Sequence, residues 1–201
     1  MDETLNPGES PYPTEYPLEN TRFALQNHAG VFSRDSLDIG TRFFLDHIPS
    51  ANHQQQIADL GCGNGVIGLV ATELNPAAKL TFVDESFMAV DSARGNFARA
   101  FGKDRSASFL VGDGLETATP HSFDLVLNNP PFHSQRAVDQ HAPWRMFTQA
   151  LNALKSSGQL WVIGNRHLRH DLKLKKLFGR CETVAQNRKF AVLKAVKRES
   201  V

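Results

Sequence analysis

The sequence has 201 residues, 41% hydrophobic and 21% charged, with a formal net charge of +1. That length suits one α/β domain with a sizeable core, and the composition is ordinary for a globular chain. No apolar run approaches the roughly 20 residues a membrane-spanning helix needs, "MDETLNPGES" lacks the regions of a secretory signal, and two cysteines without framework spacing, Cys62 and Cys181, fit a reducing cytoplasm and no zinc site.

Residues 1–20 hold Pro7, Pro11, Pro13 and Pro17, five acids and no Lys or Arg, which predicts an acidic, Pro-rich tail or linker ahead of a domain over residues 21–201. A helix is expected from Asp35 as N-cap, with Leu37, Thr41, Phe44 and Ile48 on one face and Pro49 as its end. "QIADLG" reads as a buried strand, residues 66–74 as a helix, "KLTFVD" as a strand. Ser86 then caps a helix that turns Ala89, Val90, Ala93, Phe97 and Ala100 inward. "SASFLVG" and "FDLVLNN" are further strands. A helix over 146–154 places Phe147, Ala150, Leu151 and Leu154 together, and Gly158 leads into the strand "QLWVIG". Residues 168–178 form a basic amphipathic helix closed by Gly179, and "CETVAQN" with "KFAVLKAV" reads as an antiparallel pair. Seven strands alternating with helices predict an α/β, doubly wound, Rossmann-like and mainly parallel sheet, closed by a C-terminal antiparallel hairpin.

Charge is unevenly spread. Between Arg166 and Arg198 there are eleven Lys and Arg against two acids, Asp171 and Glu182. Such a segment is fit to face a polyanion, the plainer alternative being solvated helix and edge-strand faces.

The stretch "DLGCGNGVIG" (residues 59–68) satisfies two patterns at once. Counted from Gly63 it is a dinucleotide turn; counted from Asp59 it is D-x-G-x-G-x-G, the turn that wraps S-adenosylmethionine. In either case glycines let the backbone approach the ligand, and an acid after the next strand, here Asp84 followed by Glu85, grips ribose hydroxyls. Three features favour S-adenosylmethionine. Asp59 would repel a pyrophosphate but not a cationic ammonium. Asp113 in "VGDG" stands where an adenine amine could donate to it. The third is Asn129-Pro130-Pro131-Phe132, directly after a strand end. An exocyclic amine on a nucleobase is a weak nucleophile, because its lone pair is delocalised into the ring. A side-chain amide oxygen and a backbone carbonyl accepting its two N–H bonds would aim that lone pair at a methyl group. Asn129 and the Pro130 carbonyl suit those roles, Pro131 stiffens the turn, and Phe132 offers a stacking face. His133 reads either as a contact to the base or as an ordinary loop residue.

From about Gly30 to Lys197 the sequence resembles the C-terminal catalytic domain of bacterial ribosomal RNA guanine-N2 methyltransferases. The resemblance rests on "GVFSRDSLDIGTRFFL", "DLGCGNGVIGL", "VDES", "LNNPPFH" and "NRKFAVLKAVK"; "GNRHL" and "KKLFG" favour the large-subunit (23S) branch over the 16S one. It implies a class I methyltransferase fold and S-adenosylmethionine as cofactor. Asp59, Gly61, Cys62 and Gly63 would stand at the methionine part, Asp84 and Glu85 at the ribose, and Asp113 at the adenine. Asn129 to Phe132 would hold the guanine amine. Phe32 and Asp38, with Arg34 behind them, would cap the methionine end, against the readings of Phe32 as core and Asp38 as a helix-terminal acid. The implied partner is ribosomal RNA or a ribosomal subunit. The resemblance also implies a degenerate methyltransferase-like domain before this one, where the sequence has its Pro-rich stretch. Methylation of a protein glutamine or a DNA adenine poses the same lone-pair problem, and a non-catalytic RNA-binding module is the alternative of another class. Oligomeric state has no signature in the sequence.

Overall fold

The computed structural model describes residues 12–19, 21–32, 36–53, 55–102, 104–131 and 141–199. In chain order the elements are β1 (Thr14–Pro17), β2 (Ala24–Asn27), α1 (Ile39–Leu45), β3 (Gln56–Leu60), α2 (Val66–Leu74), β4 (Lys79–Asp84), α3 (Phe87–Phe101) and β5 (Ser108–Val111). They continue with β6 (Phe123–Asn128), α4 (Ala142–Ala153), β7 (Leu154–Asn165), α5 (His170–Phe178), β8 (Glu182–Gln186) and β9 (Phe190–Val196). Seven strands form one sheet in the order β5-β4-β3-β6-β7-β9-β8. The first five are parallel, and β9 runs antiparallel to both neighbours. This is the mainly parallel α/β sheet with a closing antiparallel pair that the sequence predicts, β9 being inserted between β7 and β8.

Strand side chains alternate faces, and the sequence uses both for burial. Leu125, Leu127, Trp161 and Ile163 join the core that also holds Phe44 of α1, Leu69 of α2 and Phe97 of α3. Val126, Leu160 and Val162 face Phe147 of α4 and Leu174 and Phe178 of α5. Apolar residues on both faces are what a sheet covered by helices on each side requires. Close approach of α2 to β4 depends on Gly68, where a Cβ would lie 2.1 Å from the Phe82 ring.

Four local expectations are corrected. The Pro-rich stretch is not all tail: β1 pairs antiparallel with β2. That hairpin is held on α3 by Asn96, which accepts from Gln26 N at 2.7 Å and donates to Gln26 O at 2.9 Å. The first helix is capped by Asp38, not Asp35, and ends at Leu45, four residues before Pro49, although Leu37, Thr41, Phe44 and Ile48 are all buried. The helix expected from Met146 starts one turn earlier, with Pro143 in its first turn, and Leu154 belongs to β7 instead. Finally, the basic helix begins at His170, after a 3₁₀ turn over Arg166–Leu168 and a left-handed Arg169 (φ 49°).

The sheet order reverses between β3 and β6, which are adjacent. At such a switch point the carboxyl ends of the strands open a crevice. Asp59 and Asn128 mark it.

Candidate functional site

Asp59 is fully buried beneath the turn that follows β3. Its Oδ2 accepts from the Gly68 N–H at 2.8 Å, while Oδ1 has no partner among the described residues. Burial drives its pKa up to about 8, since a carboxylate with few donors is poorly solvated there. The turn climbs above it. Gly63 N donates to Asp84 Oδ2 at 2.9 Å, and Ser86 N donates to Asp84 Oδ1 at 2.9 Å. Gly65, left-handed at φ 82°, opens α2, and a side chain there would meet Ala93 of α3 at 2.8 Å. Behind the turn, Asn64 donates to the Tyr16 hydroxyl at 3.3 Å and its carbonyl accepts from Asn96 Nδ2 at 3.0 Å. The hairpin therefore braces the glycine turn from outside.

A cavity of about 300 Å³ lies over this turn. It brings together Gly61, Cys62, Gly63, Asp84, Glu85, Asp113, Asn129, Pro130, Pro131 and Phe32, all expected site residues. The Cys62 thiol, buried and near Asp59 and Asp84, has its pKa pushed well up, so it stands as a neutral group. Asp113 is paired across the rim with Arg145, Nη2 to Oδ1 at 3.1 Å. Phe32 is 55% exposed, which decides against the reading of it as core. Phe132, His133 and Arg34 lie outside the described residues.

Two expected residues do not line the cavity: Asp59 lies beneath it and Asp38 behind it. Asp38 caps α1, accepting from Thr41 N at 2.8 Å and from the Thr41 hydroxyl at 3.3 Å. That is the helix-terminal reading of this acid. It also sets the polarity of the next hydrogen bond. The Thr41 hydroxyl has a single proton, which it gives to Asp38, and it therefore accepts from Asn129. Asn129 Nδ2 lies 2.8 Å from that hydroxyl. The amide is thereby oriented with its nitrogen toward Thr41, and Oδ1 is left buried and without a partner among the described residues. This relay fixes an acceptor on the cavity wall.

Sequence reasoning assigned Thr41 only to the buried face of a helix and missed Arg145 and Met146, which also line the cavity. For Thr41 the available signal was its spacing from Asp38, the D-x-x-T of a capped helix start. Arg145 lies in the first turn of α4, ahead of the helix the sequence predicts from Met146. Among the described residues no group of three or more His, Cys, Asp or Glu could hold a metal ion.

Residues 22–194 match the methyltransferase small domain family. The chain is 54% identical over 189 residues to the ribosomal RNA large subunit methyltransferase G of Stutzerimonas stutzeri, covering 94% of this chain and 50% of that protein. It is 51% identical over 193 residues to that of Yersinia enterocolitica, covering 96% and 48%. It thus spans about half the length of the curated relatives it matches. Among solved structures, the T. thermophilus 16S rRNA N2 methyltransferase RsmC, in complex with AdoMet and guanosine, superposes with a TM-score of 0.74 at 24% identity, covering 92% of this chain and 50% of that one. The fold is shared with the M. jannaschii protein TYW2, also in complex with AdoMet, at a TM-score of 0.66 and 11% identity, covering 92% and 86%.

Proposed function

The chain belongs to the methyltransferase small domain family, and from that premise we propose that it transfers a methyl group from S-adenosylmethionine to the exocyclic N2 amine of a guanine in 23S ribosomal RNA. The observation that carries this reading is the buried Asn129 Oδ1, held as an unpartnered acceptor by Thr41 and Asp38. A guanine amine has two N–H donors and a lone pair of low nucleophilicity. Asn129 Oδ1 accepts one N–H and the Pro130 carbonyl the other, so the lone pair is turned out of the ring plane toward the methyl. The proton leaves after nitrogen is alkylated, when it has become acidic, and no strong general base is called for. Phe132 supplies the stacking face.

The cofactor supplies an electrophilic methyl on a sulfonium. The residues over β3 and β4 fit it. Asp84 faces the ribose hydroxyls, because each of its oxygens keeps a lone pair beyond the one given to a backbone N–H. Asp113 meets the adenine amine, Glu85 lies beside the ribose, and the backbone of Gly61, Cys62 and Gly63 lies against the methionine part. Asp59 acts from beneath, through the turn it supports. Phe32 and Asp38 close the methionine end, Asp38 through Thr41.

Residues 21–201, with β1 (Thr14–Pro17) added, are then the methyltransferase domain, working on ribosomal RNA or a ribosomal subunit in the cytoplasm. The large-subunit assignment is supported by 54% identity to a protein named for that subunit, against 24% to the one named for 16S rRNA. The test is to incubate the protein and S-adenosylmethionine with unmodified ribosomal RNA and ribosomal subunits, then map methylated nucleosides by mass spectrometry. A methyl on a guanine N2 of 23S RNA is expected; a methylated protein side chain, or no transfer, overturns the reading.

A further inference from the structure

Gly164-Asn165-Arg166-His167-Leu168, the "GNRHL" of the sequence, has no part in the chemistry above. It builds a second cavity, of about 460 Å³, between the end of β7, the start of α5 and the strands β8 and β9. Two of its residues are buried polar side chains with unpartnered atoms. Among the described residues, Asn165 (8% exposed) has no partner for Oδ1, and His170 (3% exposed) has none for either ring nitrogen. The backbone is forced into this shape. A 3₁₀ turn and a left-handed Arg169 intervene between strand and helix. The His170 ring sits where a Cβ on Gly164 would come within 2.5 Å of it, edge-on to Phe147 at 5.4 Å.

The charges lining this cavity largely cancel. Arg169 grips Asp171 through two bonds, Nε to Oδ1 and Nη2 to Oδ2, both 3.0 Å. Burial, reinforced by Lys173, pushes His170 down to about 4, so its ring is neutral and offers one donor and one acceptor. Arg166 remains at the edge, with one N–H to the Asn187 carbonyl at 3.4 Å. A bare inorganic anion would face the Asp171 carboxylate and a neutral imidazole. A ligand with a neutral, hydrogen-bonding body and one anionic group matches the lining better.

The cavity is also well placed. β7 is the parallel neighbour of β6, with Asn128 opposite Val162, so Asn165 lies at the same end of the sheet as Asn129, one strand over. We propose that this cavity is a second nucleotide site, where Asn165 and His170 hold the base and ribose of a nucleotide flanking the target guanine and Arg166 holds its phosphate. This rests on the RNA reading above. Burying unpaired acceptors and donors costs stability, and a base edge in this position would satisfy them.

The test titrates isotope-labelled protein with the four ribonucleoside 5′-monophosphates, following the Asn165 side-chain amide and the His170 ring by NMR. Saturable shifts at both residues are expected with at least one monophosphate, and they persist when S-adenosylhomocysteine fills the first cavity. No shift, or the same shift with inorganic phosphate alone, overturns the proposal. In methylation assays Asn165→Leu and His170→Phe should each raise KM for RNA about tenfold, the effect of removing one base-specific hydrogen bond, without changing the affinity for S-adenosylmethionine. The Phe variant preserves ring shape, so an unaltered KM in that folded protein also overturns the proposal. Monophosphate shifts at Asn165 without any methylation of RNA would instead remove the earlier reading and leave this site standing.

Discussion

Thr41 and Asn129, 88 residues apart in sequence, are joined by a 2.8 Å hydrogen bond from the amide nitrogen to the hydroxyl. The bond does not touch the reacting atoms; it decides which end of the Asn129 amide faces them. Thr41→Val keeps the shape of the side chain and removes the oriented acceptor. The turnover rate should fall about tenfold, the worth of one hydrogen bond, with only a small change in cofactor affinity, since Val still fills the wall at the methionine end. Asn129→Ala should abolish transfer and also spare cofactor binding. Single-turnover kinetics beside calorimetry separates the two effects; loss of binding with normal turnover would remove Asn129 from the chemistry.

Asp84 couples the glycine turn to the cofactor. Replacing it by Ala removes the acceptor for Gly63 N and Ser86 N as well as the proposed ribose contact. Affinity for S-adenosylmethionine should weaken by about 1.5–3 kcal/mol, the range for hydrogen bonds to charged groups. Calorimetry of the wild-type protein with both candidate cofactors frames the experiment. Saturable NAD binding without a response to S-adenosylmethionine would contradict the assignment.

Asp59 makes the ligand-free protein sensitive to alkali. Its folded-state pKa of about 8 lies above the ordinary 3.8, so between those values the folded chain holds a proton the unfolded chain has lost. Stability from this group is therefore complete below the lower value and is lost as pH rises through about 8. Urea unfolding at about pH 5 and about pH 9 should show the decline, and Asp59→Asn should flatten it. A variant with the same pH profile as the wild type would show that Asp59 is already ionised.

Changing Lys173, Lys175 and Lys176 of α5 to Ala should weaken RNA binding while leaving the cofactor alone. Lys176 also covers the Trp144 ring at 5.4 Å, so the triple change strips a contact between α4 and α5. Filter binding across a salt series gives the decisive reading. The slope of log affinity against log salt should shrink by about 0.7 for each phosphate that is no longer neutralised. Parallel slopes for the two proteins would reduce the basic helix to a solvated face.

Much of the fold and of the cavity wall was legible in the sequence, for identifiable reasons. α2 and β4 begin and end where expected, because Gly65 opens α2, Asn75-Pro76 closes it, and a short apolar run ending in Asp84 marks β4. The cavity wall was legible because its residues cluster in short motifs after strand ends. The β1–β2 hairpin was not, since its support is remote: Arg99 of α3 reaches Glu15 at 3.0 Å and the Ala24 carbonyl at 2.9 Å. Prolines at either end of β1 argue locally against a strand, and tertiary contacts outweigh them. The Thr41–Asn129 link of the relay was hidden for the same reason, although the helix-terminal reading of Asp38 was open in the sequence. The start of α5 was misplaced because a left-handed Arg169 leaves no mark in composition.

Insertion of β9 between β7 and β8 has a consequence for synthesis of the chain. Translation delivers β7 before its outer neighbour β9, and until Phe190–Val196 leaves the ribosome the apolar row from Leu160 to Ile163 borders an open edge. Open apolar edges invite pairing with other chains. The nascent chain is thus expected to stay protease-sensitive until β9 emerges and to become resistant in one step once β9 is free of the exit tunnel. Limited proteolysis of ribosome-bound chains with C-terminal extensions, either too short or long enough to carry residue 196 out of the tunnel, would register that step, and a gradual rise in protection would show that the five parallel strands close a stable sheet without β9.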